Sequence, residues 1–138
     1  MPPPPTSPPA DPAAPDAAVV PGAAGGLGRA IARRLASDGF AAALLDIDTE
    51  GLAETRRLIE SDGGIAAAFA VDLRDEAAID DTVRRVDDQV GPVRALVNDA
   101  AVFPSGPFLD STPEEYDQVI AVNQRAYFFA AQSAARLM

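Results

Sequence analysis

Two features of the sequence can hold a ligand by elementary physical chemistry. The first is the stretch Pro21-Gly22-Ala23-Ala24-Gly25-Gly26-Leu27-Gly28-Arg29-Ala30. Glycines at 22, 25, 26 and 28 let a backbone turn tightly and bring amide N–H groups up to a diphosphate with no Cβ in the way. The second is Asp46, which ends the next apolar run eighteen residues after Gly28. A carboxylate there can accept both hydroxyls of an adenosine ribose and would repel a 2′-phosphate. Each feature also has a plainer use. A tight turn between strand and helix needs glycine without any ligand, and Asp46 can be solvated or cap the following helix, although Asp48 and Thr49 stand closer to it. It is their combination, glycine turn after a strand and acid at the end of the next strand, that points to a dinucleotide.

Missing residue types narrow the chemistry. The 138-residue chain has no cysteine and no histidine, and all eleven of its basic residues are arginine. A Ser-His-Asp or Cys-His arrangement, a cysteine-ligated zinc, a lysine Schiff base and a Walker-type lysine are outside its reach, and no metal site is expected. Twenty-one acidic residues against those eleven give a net charge of −10. That charge repels a phosphate backbone, so nucleic acid is not an expected partner. No apolar run is long enough to cross a bilayer, and the amino terminus lacks the charged and apolar regions of a secretory signal. The expectation is a cytoplasmic protein with no membrane partner.

The elements that must position the glycines and the acid follow from apolar spacing. Eight of the thirteen prolines lie in Met1–Pro15, so residues 1–16 are expected to form an extended, disordered tail. Pro5-Thr6-Ser7-Pro8 fits a polyproline ligand, and a solvated leader is the plainer alternative. From residue 17 onward, short apolar runs alternate with amphipathic ones. Strands are expected at Ala17–Val20, Phe40–Asp46, Ile65–Val71 and Val93–Asn98. Helices are expected at Gly26–Ser37 (stripe Leu27, Ile31, Leu35), Thr49–Glu60 (Leu52, Thr55, Ile59) and Asp75–Val90 (Ile79, Val83, Val86, Val90). A last helix opens at Thr112-Pro113-Glu114-Glu115, with Thr112 as N-cap and Pro113 in the first turn, and runs to the end. Near-continuous apolar strands, each followed by a helix, mean an α/β fold: a doubly wound parallel sheet of four β-α units, covered on both faces.

Later segments supply a family resemblance. The glycine turn resembles the T-G-x-x-x-G-x-G of the short-chain dehydrogenase/reductases at Gly22, Gly26 and Gly28. Gly25 lets it fit the T-G-x-x-G-x-x-G of sugar-nucleotide enzymes equally well. Val71-Asp72-Leu73-Arg74-Asp75 resembles the segment after the third strand in the first family. Leu96-Val97-Asn98-Asp99-Ala100-Ala101 resembles its L-V-N-N-A-G, and Val122-Asn123-Gln124-Arg125-Ala126-Tyr127-Phe128 its V-N-L-R-G-x-F. All occur in order, so the resemblance covers residues 17–138 and favours the subgroup acting on alcohols and ketones over a sugar-nucleotide epimerase or dehydratase.

The resemblance implies a Rossmann-type NAD(P)-binding domain over residues 17–138. Its cofactor-binding residues would be Gly22, Gly26, Leu27, Gly28, Asp46, Asp72 (meeting the adenine amino group), Leu73, Asn98 and Ala100. Asn123 would be catalytic, holding a water that relays protons. Each keeps an ordinary alternative: Asp72 can cap the next helix, Asn98 can satisfy a turn, and Asn123 can be a packing hydrogen-bonder. Arg29 can approach phosphate or be solvated. With Asp46 acidic, and Gly25 and Ile47 where NADP-preferring relatives carry basic residues, NAD is expected over NADP. The family's remaining catalytic groups are a Ser and a Tyr-x-x-x-Lys pair, in which the cation brings the tyrosine toward neutrality. Without lysine the pair cannot exist here: Ile120 stands four residues after Tyr116, and Ala131 four after Tyr127. The sequence therefore reads as the cofactor half of an oxidoreductase, truncated on its C-terminal side and inactive alone, with a small alcohol or ketone as substrate of the whole. A non-catalytic dinucleotide-binding module is the alternative. In the complete protein, the resemblance implies that the apolar surface at Phe128-Phe129-Ala130-Ala131 supports a homo-oligomer. Pro21 replaces the family's Thr and is not expected to tie the turn to the Asn98 segment as Thr would. Asp99 and Ala101 replace an Asn and a Gly.

Overall fold

The computed structural model describes residues 14–138; the tail expected at 1–16 lies outside them up to residue 13. Strands and helices alternate as β1 (Ala17–Pro21), α1 (Gly26–Ser37), β2 (Ala41–Asp46), α2 (Thr49–Ser61), β3 (Ile65–Ala70), α3 (Glu76–Gln89) and β4 (Val93–Leu96). A 3-10 turn at Phe108–Asp110 precedes α4 (Pro113–Ile120), which passes through a π-helical turn at Ala121–Arg125 into α5 (Ala126–Leu137). The strands are parallel in the order β3-β2-β1-β4. Because the chain leaves β1 for β2 on one side and later returns to place β4 on the other, the ends of β1 and β4 flank a crevice where the winding reverses.

The sheet is covered on both faces, as the near-continuous apolar strands require. On one face Val20, Ala42, Leu44 and Ala66 pack with Ala32 of α1 and Leu52 and Ile59 of α2. On the other, Val19, Ala43, Leu45, Phe69 and Val93 pack with Ile79, Val83 and Val86 of α3 and with Ala126, Ala130 and Ala134 of α5. Alanine is a poor strand former in isolation, yet Ala17, Ala18, Ala41, Ala42 and Ala43 are wholly buried. Burial between helices, not intrinsic preference, holds them in strands.

Several boundaries differ from the sequence expectation for identifiable reasons. β3 is an edge strand paired with β2 alone, and it leaves Ile65, Ala68 and Ala70 open instead of fully buried. β4 stops at Leu96 because the backbone beyond it turns toward β1: the Asp99 and Ala100 amides both donate to the Pro21 carbonyl. Leu27 does not belong to the buried stripe of α1. It is 66% exposed, and the helix buries Gly28 and Ala32 instead. Asp72 does not cap α3; Asp75 does, accepting the Ala78 amide at 3.1 Å. Likewise Asp48 caps α2 through the Gly51 amide at 3.0 Å. At α4, Thr112 accepts the Glu115 amide while the Glu115 carboxylate accepts the Thr112 amide, a reciprocal cap that satisfies two otherwise free donors.

Candidate functional site

The loop from β1 to α1 is shaped by contacts that leave no room for side chains at two positions. Gly22 has φ +90°, and a Cβ there would lie 2.6 Å from the Ala100 nitrogen. A Cβ on Gly28 would lie 2.1 Å from the Gly22 carbonyl oxygen. These glycines are required by close backbone approach alone. Gly25 and Gly26 are different: no atom lies within 4 Å of where a Cβ would stand on either. Gly25 is extended, at φ −171°, a conformation any residue can adopt. Packing therefore does not call for glycine at 25, and the open space there faces a cleft.

The same turn leaves the first amides of α1 free. Its N-cap is Gly25, no side chain caps it among the described residues, and its first turn holds no acid. An uncapped helix N-terminus carries partial positive charge on unpartnered N–H groups, the usual setting for a bound anion. Pro21 ties the turn to the segment after β4 in spite of its missing hydroxyl and amide. Its carbonyl accepts from Ala100 at 3.0 Å and Asp99 at 3.3 Å, a tie that uses neither of the groups proline lacks. Sequence reasoning considered the side chain and overlooked the carbonyl.

Asp46 ends β2 beside this turn. One carboxylate oxygen accepts the Ala24 amide at 3.3 Å and the other the Asp48 amide at 3.1 Å. The group is thereby aimed by backbone donors while keeping about half of its roughly four acceptor positions. Arg29 is neither solvated nor turned toward the cleft. Its Nε donates to the Thr55 hydroxyl at 2.8 Å and its Nη2 to the Ala24 carbonyl at 2.6 Å, bracing α1 on α2.

After β3, Asp72 forms an ion pair with Arg74 at 2.6 Å. Hydrogen bonds from the Arg74 side chain and then its amide hold the Asp72 carboxyl below the usual carboxylate range. After β4, Asn98 donates to the Tyr127 carbonyl at 3.3 Å, while its Oδ1 is buried without a partner among the described residues. Asn123 lies in the π-helical turn and clamps a loop residue with both amide atoms: Oδ1 accepts the Val102 amide and Nδ2 donates to the Val102 carbonyl, each at 2.8 Å. Tyr127 donates to the Ala100 carbonyl at 2.8 Å. Burial, and then the negative charge of Asp99, raise the Tyr127 phenol above its ordinary value, the reverse of what a tyrosine base needs.

These pieces enclose a cleft of about 620 Å3 at the carboxyl ends of the strands. Of the residues expected in the site, Gly22, Gly26, Leu27, Asp46, Asp72, Leu73 and Ala100 line it together; Gly28, Asn98 and Asn123 stand behind its wall. Ile47, Arg74, Asp99, Val102 and Gln118 also line it. Arg74 and Asp99 were legible as members of the strand-end segments. Gln118 of α4 carries no signal in the sequence. Among the described residues there is no cluster of three or more His, Cys, Asp or Glu able to hold a metal ion, and no helix long and apolar enough to cross a membrane. The open room at Gly25 and Gly26, the free amides of α1 and the anchored carboxylate of Asp46 fit a diphosphate joined to a ribose.

Comparison with known proteins agrees with this geometry. Residues 16–138 match the family model described as short chain dehydrogenase. The 2,3-dihydro-2,3-dihydroxybenzoate dehydrogenase of Bacillus subtilis is 37% identical over 121 residues, covering 88% of this chain and 46% of that protein. The chain thus spans about half the length of the curated relatives it matches. Among solved structures, a metagenomic short-chain oxidoreductase in complex with NADP superposes with a TM-score of 0.83 at 38% identity, over 89% of this chain and 56% of that one. A dehydrogenase/reductase from Sinorhizobium meliloti 1021 superposes with a TM-score of 0.85 at 39% identity, over 89% and 49%. The chain belongs to the short-chain dehydrogenase family of oxidoreductases.

Proposed function

We propose that this chain binds NAD and forms the cofactor-holding part of an oxidoreductase that interconverts a secondary alcohol and a ketone. The observation that carries the reading is the uncapped, glycine-lined start of α1 sharing one cleft with the backbone-anchored Asp46. The bound nicotinamide would supply the hydride acceptor or donor. In this reading the free amides of residues 25–28 hold the diphosphate, since those of Gly22, Ala23 and Ala24 already donate to Leu45 and Asp46; Asp46 accepts the adenosine ribose hydroxyls, and Asp72 with Leu73 meets the adenine. Ala100, together with the Gly22 turn it packs against, forms the floor. Asn98 and Asn123 support the cleft from behind, Asn123 by holding the Val102 loop. This makes Asn123 a positioning residue, in addition to any contact with a relay water.

The choice of NAD over NADP rests on charge. In this reading the Asp46 carboxylate beside the ribose would repel a 2′-phosphate, and the nearby cations are engaged elsewhere: Arg29 is committed to Thr55 and Ala24, and Arg74 is paired with Asp72. Calorimetric titration tests it: NAD should bind more tightly than NADP, and Asp46→Ala should narrow the difference. Equal affinities, or a preference unchanged by the substitution, would remove Asp46 from the site.

These 138 residues hold no lysine to lower a tyrosine pKa. The 138-residue chain alone should give no turnover with NAD and simple secondary alcohols, and measurable turnover would overturn the missing-pair argument. Self-association is assigned to α5, where Phe128 is 63% exposed, whereas Ala130, expected on the same surface, is buried in the core; Phe128→Glu should shift the elution of any dimer toward monomer.

A further inference from the structure

The cleft carries negative charge that a dinucleotide site has no evident use for. Among the described residues its ionisable lining groups are Asp46, Asp72, Arg74 and Asp99. Asp72 and Arg74 neutralise each other. Asp46 accepts two amides and has the ribose as its proposed ligand. The Asp99 carboxylate has no hydrogen bond or ion pair among the described residues. Its Oδ2 lies 2.9 Å from where a Cβ on Gly28 would stand, against the first turn of α1. Asp99 lines the cleft, and its charge, after burial, helps raise the neighbouring Tyr127 phenol.

The sheet order places Asp99 on the β4 side of the crevice. Asp46 ends β2 and Asp99 follows β4, on opposite sides of β1. A dinucleotide whose adenosine ribose is held at β2 crosses the crevice and lays its other half toward β4. That half is the part that changes charge: the oxidised nicotinamide ring is cationic and the reduced ring is neutral.

We propose that Asp99 sets the redox-form preference of the site, its unneutralised carboxylate at the β4 end favouring the oxidised dinucleotide over the reduced one. The proposal rests on the dinucleotide reading above. An asparagine of the same shape would bind both forms without this bias, so the preference comes from charge and not from fit. An unpaired carboxylate also repels the diphosphate, but it does so equally in both forms and cancels from their ratio.

The test is a pair of affinities, for NAD+ by calorimetry and for NADH by its fluorescence, measured on the full 138-residue chain and on Asp99→Asn and Asp99→Glu, with circular dichroism confirming the fold. The unsubstituted chain should favour NAD+, and Asp99→Asn should shift the ratio of the two affinities toward NADH by about 3- to 10-fold. Asp99→Glu should keep the ratio of the unsubstituted chain, and the shift should shrink as salt is raised. If both forms bind and Asp99→Asn leaves their ratio unchanged, the inference falls while the dinucleotide reading stands. If neither form nor ADP-ribose binds the unsubstituted chain, both fall.

Discussion

Helices α1 and α2 begin in contact with each other, since a Cβ on Gly51 of α2 would strike the Ala24 carbonyl of the turn that starts α1 at 2.6 Å. Their first turns treat free amides in opposite ways. At α2, Asp48 accepts the Gly51 amide, and Glu50 adds a second negative charge near the helix start. At α1 the N-cap is glycine, no acid stands in the first turn, and no side chain caps it among the described residues. Two helices of similar length in one domain thus differ in whether the chain satisfies its own N-terminus. Where it does, the end is structural. Where it does not, and the space beyond is open, the end is available to an anion from outside. The glycines follow the same division: Gly51 is required by a neighbouring carbonyl, whereas Gly25 is crowded by nothing.

Substitutions can separate these two roles. The largest effect is expected for Gly28→Val, whose Cβ would meet the Gly22 carbonyl oxygen at 2.1 Å. It should cost about 3 kcal/mol or more in urea denaturation and abolish dinucleotide binding. Gly51→Ala should cost about 1–3 kcal/mol, because the Ala24 carbonyl must shift. Gly25→Ala should change stability by less than about 0.5 kcal/mol yet weaken ADP-ribose binding by about tenfold, the value of a lost hydrogen bond to a charged group. Unfolding by Gly25→Ala would erase the distinction. Asp48→Ala should lower stability by about 1 kcal/mol and leave affinity unchanged.

The smallest effect concerns the capped side near α3. Arg74 holds the Asp72 carboxyl below its ordinary value. Its contribution is therefore fully present above about pH 4, where the unfolded chain is already ionised, and is lost as pH falls toward the lower folded value. Because the pair is largely exposed, Arg74→Ala should only slightly flatten the acid limb of stability against pH.

Much of this contrast is legible in the sequence alone. The stripes of α2 and α3 placed Leu52, Thr55, Ile59, Ile79, Val83 and Val86 correctly, because burial on one helical face imposes a period that survives in the sequence. Asp46 at the end of β2 and the glycine turn at the start of α1 were equally plain. What failed was decided by tertiary position. Leu27 has the right spacing for the core, but the first turn of α1 protrudes past the sheet into the cleft. Asp72 precedes a helix as a cap would, but Asp75 stands nearer and Arg74 captures Asp72 first. The π-helical turn around Asn123 leaves no periodic trace, and the Pro21 carbonyl, like any backbone group, has no side-chain signature.

The central claim is that the start of α1 holds a diphosphate while the starts of its neighbours do not. A 15N NMR titration of the chain with ADP-ribose tests it directly. The free amides of residues 25–28, with those beside Asp46, should shift as ligand is added, while Gly51 and Ala78, whose amides are held by Asp48 and Asp75, should stay in place. Shifts confined to the capped helices, or no shift at the glycine turn at saturating ligand, would contradict the account.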